Sequence, residues 1–167
     1  MFTELSYQDL NINAIDEIRN GWFLISAGNS EKYNTMTANW GTIGHLWHES
    51  VAIVFVRPQR YTYQFTEEND HMTLSFFPRE YRPALTILGT KSGRDCDKVA
   101  ESGLTPVEVE GTMTFEEASY VLVCKKLYYE DIKKENFLDE APLLRNYPLE
   151  DFHRMYIVKI EKILKHA

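Results

Sequence analysis

The chain has 167 residues, a formal charge of −7, 26 % charged and 44 % hydrophobic side chains. This composition is that of an ordinary globular domain and excludes disordered and collagen-like classes. The acidic balance argues against general nucleic-acid binding, and no run approaches the ~20 apolar residues of a membrane span. Cys96 and Cys124 form no CxxC pair, giving neither a disulfide framework nor a zinc spacing. With no basic, apolar leader at the N-terminus, the expectation is a cytoplasmic protein whose residues 1–167 form a single domain.

In chain order, residues 8–20 read as a short amphipathic helix carrying Leu10, Ile12, Ile15 and Ile18 and stopping at Gly21. Residues 22–27 are a compact apolar run before Gly-Asn-Ser, hence a strand and a turn. Residues 33–40 are rich in Thr and aromatics, and Gly41 and Gly44 punctuate the stretch after them. The β-branched run 51–56 predicts a buried strand ended by Pro58. A helix is expected at 60–68, a strand at 71–77, and helices at 79–88 and 95–102, each closed by a glycine (Gly89, Gly103). Residues 105–129 return to β texture, 131–147 read as loop and short helix, and 155–164 alternate as a last strand. Six or seven strands with short helices between them predict an α+β fold, a small closed or partly closed barrel with helices at its ends. No GxGxxG follows a strand, which argues against a doubly wound sheet.

Most enzyme signatures are missing: there is no GxxxxGK loop, no HExxH and no GxSxG elbow. His45 and His48 are three apart beside Glu49 but lack a third ligand at sensible spacing, so no metal site is assigned and a loop role is expected. Two cationic segments are more informative. In 57–62, Arg57 and Arg60 precede Tyr61 and Thr62 at a helix start, where free N–H groups, a hydroxyl and guanidinium forks can form an anion site. In 91–98, Ser92, Arg94 and Lys98 surround Gly93 at a second helix start. The alternatives are surface ion pairs for the arginines and N-capping roles for Asp95 and Asp97. The stretch 34–40 places small polar groups before Trp40. It can serve a flat ring edge or simply form a polar strand. Tyr61, Phe76 and Phe77 offer stacking surfaces or core packing.

The segments NTMTANWG (34–41), VRPQRYT (56–62), HMTLSFF (71–77) and SGRDCDK (92–98) occur in the order and spacing of the flavin reductase-like family. Its members are FMN-binding split barrels, flavoredoxin-type proteins among them, and the resemblance runs from about residue 21 to 163. It implies a mainly β, α+β fold: a split β-barrel with short peripheral helices. Asn34, Met36, Thr37, Ala38, Asn39 and Trp40 would border the isoalloxazine and ribityl chain. Arg57, Arg60, Tyr61 and Thr62 would reach the FMN phosphate or the chain beside it, and Ser92, Gly93, Arg94 and Lys98 would complete the clamp. Ser75, Phe76 and Phe77 would lie on a strand beside the cofactor, with Ser75 standing where many flavin reductases have Asn. His153 is retained in FHRMYIVKIEKI, without the glycine that often follows, and is the candidate on the nicotinamide side; a structural histidine is the alternative. The resemblance implies an FMN-dependent oxidoreductase, a homodimer, that takes hydride from NADH or NADPH. A second possibility is a non-enzymatic FMN electron carrier reduced by an electron-transfer protein, and a third is a ligand-free barrel acting through dimerisation.

Overall fold

The computed structural model describes all residues, Met1–Ala167. Ten strands and five short α-helices follow in order: β1 (Phe2–Leu5), α1 (Ala14–Asp16), β2 (Phe23–Gly28), β3 (Tyr33–Ala38), β4 (Gly41–Leu46), β5 (Glu49–Val56), α2 (Tyr61–Glu68), β6 (His71–Phe76), α3 (Arg82–Thr90), α4 (Lys98–Ser102), β7 (Pro106–Val109), β8 (Thr112–Phe115), β9 (Tyr120–Asp131), α5 (Glu140–Asn146) and β10 (Arg154–His166). The main sheet is antiparallel in the order β3-β2-β6-β9-β10-β5-β4, with β1 also on β10 and β7–β8 forming a separate hairpin. Its two terminal strands, β3 and β4, are joined only by Asn39 and Trp40, so the ends of the sheet are brought together without pairing. The architecture is the mainly β split barrel with few short helices that the sequence led one to expect. No helix is long and apolar enough to cross a membrane.

Both faces of the central strands are buried, and alternation sorts their side chains into two cores. On β2, Phe23, Ile25 and Ala27 point into one core and Leu24 into the other; on β9, Leu122 and Cys124 oppose Val121 and Val123. The first core fills the barrel around Tyr156, Val54 and Leu74. The second lies under α3, where Leu85 and Leu88 meet Phe115.

This alternation corrects the expectation for the strand at 71–77. Phe76 points into the barrel core and stacks on Phe23 with ring centroids 5.3 Å apart, while Phe77 enters the second core. Ser75, on the opposite face from Phe76, is fully buried and shares a 2.7 Å hydrogen bond with the Thr114 hydroxyl. All three are interior residues rather than walls of a groove, because β6 is an inner strand with neighbours β2 and β9.

Other differences have local causes. The helix expected at 8–20 is replaced by a 3₁₀ turn (Tyr7–Asp9), a single α turn and a π turn (Glu17–Gly21). Asn13 accepts a bond from the Asp16 amide at 3.2 Å and restarts the chain there, as such side chains do. Of the four periodic residues only Ile18 is buried, and Ile15 is 76 % exposed. Strands β1 and β4 were not foreseen. β4 pairs with β5 through a turn in which Trp47 and His48 both have positive φ (55° and 62°), a conformation that Asn-Gly would have announced and Trp-His does not. Helix α3 runs through Gly89 instead of stopping before it. A Cβ at Gly89 would sit 3.1 Å from the Thr37 side chain, so this glycine serves close packing of α3 on β3 rather than termination.

Phe76→Ala removes the inward half of the Phe23 stack and is expected to lower stability by about 3–5 kcal/mol. Urea unfolding followed by tryptophan fluorescence reads this directly; a loss below about 1 kcal/mol would mean that Phe76 is not a core residue.

Candidate functional site

Elements distant in sequence meet along a groove bounded by the second half of β3, the exits of β5 and α3, the start of α2 and the segment leading into α4. Its first part is a cavity of about 140 Å³ lined by Arg60, Tyr61, Thr62, Gly89, Ser92 and Lys98, among others. Arg60 is the residue preceding α2. Its side chain does not cap the helix, so the first amides of α2 lack a side-chain partner. Its Nη1 donates to the Gly89 carbonyl at 3.1 Å. Lys98 opens α4 and is only 3 % exposed, its Nζ donating to the carbonyls of Leu88 (2.9 Å) and Lys91 (3.2 Å).

Neither cation belongs to any ion pair of the chain. Burial, reinforced by the Arg60 charge, lowers the Lys98 pKa to about 8, and burial moves Arg60 downward as well. A buried ammonium beside a half-buried guanidinium, with no counter-ion, is unfavourable by itself and becomes favourable when an anion arrives.

Asn34 and Gly93 brace this cavity. The Asn34 amide donates to the buried Thr62 hydroxyl at 2.9 Å, tying β3 to α2. A Cβ on Gly93 would fall 2.5 Å from the Asn34 carboxamide oxygen and 3.2 Å from the Tyr61 ring, so only glycine permits this approach. Arg94 stacks its guanidinium over Tyr61 at 4.8 Å, donates to the Gln59 carbonyl at 3.3 Å and faces an adjoining cleft of about 590 Å³ that Asn34, Tyr61, Gly93 and Lys98 also line.

Arg60 is also shared with the second part of the groove, a cavity of about 180 Å³ lined by Met36, Thr37, Ala38, Asn39, Trp40, Phe55, Arg57 and His153. Trp40, 39 % exposed, stands at its rim with the His153 ring 5.0 Å away. The two rings touch at 47°, so a planar body would lie against them, with the β3 strand along one side, rather than between them.

Arg57 lines this second cavity together with Arg60 but not the cavity that holds Lys98, so of the two arginines only Arg60 reaches both. Arg57 pairs with Asp151, donates to the Asn146 carbonyl at 2.9 Å and to His153 Nε2 at 3.4 Å, and lies over the Tyr147 ring. Because Arg57 Nε can only donate, His153 Nε2 accepts, and the proton of the neutral ring is assigned to Nδ1, which donates to the Tyr147 hydroxyl at 2.8 Å. Burial and the Arg57 charge push the His153 pKa down to about 4. At neutral pH this histidine is an uncharged wall residue with both nitrogens engaged.

The sequence thus located Met36–Trp40, Arg57 and His153 at one cavity and Tyr61, Thr62, Ser92 and Lys98 at the other, with Arg60 between them. Asn34 and Gly93 act as braces and line, with Arg94, the cleft adjoining Tyr61 and Lys98, and Ser75, Phe76 and Phe77 are interior. Phe55, Gly89, Tyr147 and Asp151 were not anticipated. Phe55 sits in a run read as wholly buried, whereas β5 alternates and leaves Ile53 and Phe55 half-buried. No sequence signal could have shown that Asp151 meets Arg57 across 94 positions.

Comparison with known proteins gives a consistent answer. The family described as "Flavin reductase like domain" matches residues 15–163. The fold resembles the FMN-binding domain of a flavin reductases-like enzyme from Shewanella baltica (TM-score 0.69, 17 % identity, covering 99 % of this chain and 78 % of the other). It also resembles flavoredoxin from Methanosarcina acetivorans (0.65, 16 %, 96 % and 74 %) and the styrene monooxygenase flavin reductase from Pseudomonas putida (0.63, 14 %, 86 % and 77 %). No curated protein matches the sequence. The chain belongs to the flavin reductase like family.

The depressed Lys98 pKa gives a measurable signature. Below pH 8 the amine is protonated both folded and unfolded, and its burial penalty is constant. Between about 8 and the unfolded value of 10.5 the unfolded chain holds more protons, so this residue makes stability rise with pH, by on the order of 3 kcal/mol in full. Denaturant unfolding of wild type and Lys98→Met across pH 7–10 should differ in slope over that window. Parallel profiles would show that Lys98 is not buried in charged form.

Proposed function

We propose that this chain binds FMN in the groove, its phosphate between Arg60 and Lys98 and its ring against Met36–Trp40, and that it acts as a flavin-dependent oxidoreductase. The observation that carries this reading is a buried Lys98 beside a half-buried Arg60, neither paired with a carboxylate, with Arg60 shared with an adjoining slot for a flat ring. The donor set suits a phosphate monoester: a guanidinium, an ammonium, the Thr62 hydroxyl and the uncapped amides at the start of α2 can all face one dianion.

When bound, FMN supplies the hydride and electron chemistry. The chain's own residues bind and orient it. Arg60 and Lys98 fix one end, β3 sets the height of the ring, and Trp40, Phe55 and His153 form an uncharged wall at the other end. Nothing in the groove pairs a nucleophile with a base, which accords with a reaction in which hydride passes directly between two rings. NADH or NADPH is the proposed donor, approaching from the open side past Trp40. A homodimer whose second copy covers part of that side belongs to the same reading, as does a cytoplasmic setting for the free thiols of Cys96 and Cys124.

Titration of FMN by flavin fluorescence quenching tests the phosphate seat. Arg60→Ala combined with Lys98→Ala removes two charge-assisted contacts of about 1.5–3 kcal/mol each and should weaken FMN binding at least about a hundredfold, while riboflavin, lacking the phosphate, changes little. Because Lys98 loses its proton near pH 8, FMN affinity should fall between pH 7 and 9 and riboflavin affinity should stay level. Equal retention of FMN by the double variant would remove the phosphate assignment. Mixing FMN-loaded protein with NADH or NADPH without oxygen then separates activities: bleaching supports the reductase, and bleaching only with a reduced electron-transfer protein identifies a carrier instead.

A further inference from the structure

Arg57 and Asp151 stand out because the phosphate seat does not use them. They form an ion pair whose guanidinium lines the ring slot and not the cavity that holds Lys98. The guanidinium is immobilised on several sides at once: by Asp151, by the Asn146 carbonyl, by His153 Nε2 and by the Tyr147 face. Gln59 donates to the same Asp151 oxygen at 2.7 Å, while the second carboxylate oxygen is buried and has no hydrogen-bond partner. A surface ion pair does not normally need so many supports, nor leave a buried oxygen without a donor.

We infer that this pair is an electrostatic control on the redox potential of the ring: Arg57 supplies a fixed positive charge at the cavity, and Asp151 is a positioning residue that holds it and offsets part of its field. The inference rests on the flavin reading above and adds a role for residues that reading leaves unassigned.

The charge inventory of the slot makes the effect possible. Apart from Arg60, which the phosphate occupies, Arg57 is the only formally charged side chain lining the cavity. His153 is neutral at working pH, held so chiefly by burial and further by the same guanidinium. Two-electron reduction with uptake of one proton converts the neutral ring into a monoanion at neutral pH. A positive charge fixed nearby stabilises that product over the neutral oxidised ring, and the low-polarity wall of Trp40 and Phe55 limits screening. Removing Arg57 therefore lowers the potential. Neutralising Asp151 while preserving its shape unmasks Arg57 and raises it. Opposite shifts from the two members of one contact are the distinguishing feature, since simple disruption of the wall would move both variants the same way.

The test is an anaerobic reductive titration of the FMN-loaded full chain with dithionite against a dye of known potential, for wild type, Arg57→Gln, Arg57→Lys and Asp151→Asn. Arg57→Gln should reduce the ratio of reduced to oxidised flavin at a fixed solution potential about tenfold, or roughly 30 mV for this two-electron couple. Asp151→Asn should raise it severalfold, and Arg57→Lys, which keeps the charge and loses the fork, should lie near wild type. Should Arg57→Gln not fold, the rise in Asp151→Asn and the near-normal value of Arg57→Lys decide the matter alone. Shifts of the same sign, or unchanged potentials in variants that hold FMN, would overturn the control while leaving FMN binding intact. Failure of wild type to take up FMN would overturn both readings.

Discussion

The ammonium of Lys98 sits in a seam of the fold with two carbonyls for company and a guanidinium nearby, and this arrangement constrains everything around it. Carbonyl dipoles solvate a buried cation only partly, so without an anion the charge lowers stability at neutral pH. The surrounding structure must therefore be rigid enough to hold the amine in place. Three close contacts provide that rigidity: Gly89 against Thr37, Gly93 against Asn34, and the Asn34 amide on Thr62. Each draws a different segment toward β3. A larger residue at either glycine would push α3 or the 92–98 turn outward and open the seam to water. The amine would regain its hydration, and the site would lose its drive to bind an anion.

Arg57 and Arg60 show how the environment, not the residue type, assigns roles. They flank one short turn after β5, yet one is neutralised by Asp151 and the other has no counter-charge. The difference arises from where the chain goes next. Residue 60 immediately precedes α2 and faces the C-terminal end of α3, whose Gly89 carbonyl accepts its hydrogen bond but carries no full charge. Residue 57 remains at the end of β5, beside the descent into β10, where Asp151 and His153 arrive from the last crossover. Thus the groove has a cationic end that calls for an anion and a compensated end that can only modulate what lies against it.

Much of this was legible in the sequence where local chemistry determines the outcome. The strands at 22–27, 51–56 and 71–77 carry β-branched and aromatic residues and formed as expected. Asp97 and Gly103 bracket α4 in the way capping residues do. The clustering of Ser92 and Lys98 with Arg60 followed from two cationic helix starts in an acidic chain. Legibility ended where a residue's role depends on a partner far away. Ser75 looked like a ligand position and proved to be a buried hydroxyl satisfied by Thr114, a pairing fixed only by how β8 packs on β6. The β4–β5 turn is built from Trp and His in a backbone conformation neither favours, so the hairpin's long strand pairing, rather than its turn, holds it. At 8–20 the apolar spacing was helical, but only Ile18 enters the core and Leu10 packs against it while Ile15 faces solvent, and a period that finds so little partner surface does not make a continuous helix.

The net charge of −7 gives the local cations a further consequence. A dianionic ester approaching this chain meets a repulsive field at long range and attraction only within the groove. The long-range term is screened over about 8 Å at physiological ionic strength, whereas contacts in a largely dry seam are screened much less. Capture therefore depends on short-range fit rather than steering, which disfavours polyanions that would have to lay many phosphates across an acidic surface. A ligand with one terminal phosphate and an uncharged body avoids most of that repulsion. In the proposed reading its charge would lie between Arg60 and Lys98, and its flat portion would meet Met36–Trp40, Phe55, a neutral His153 and an Arg57 already paired with Asp151, so an acidic surface would leave the groove selective for a small monoester.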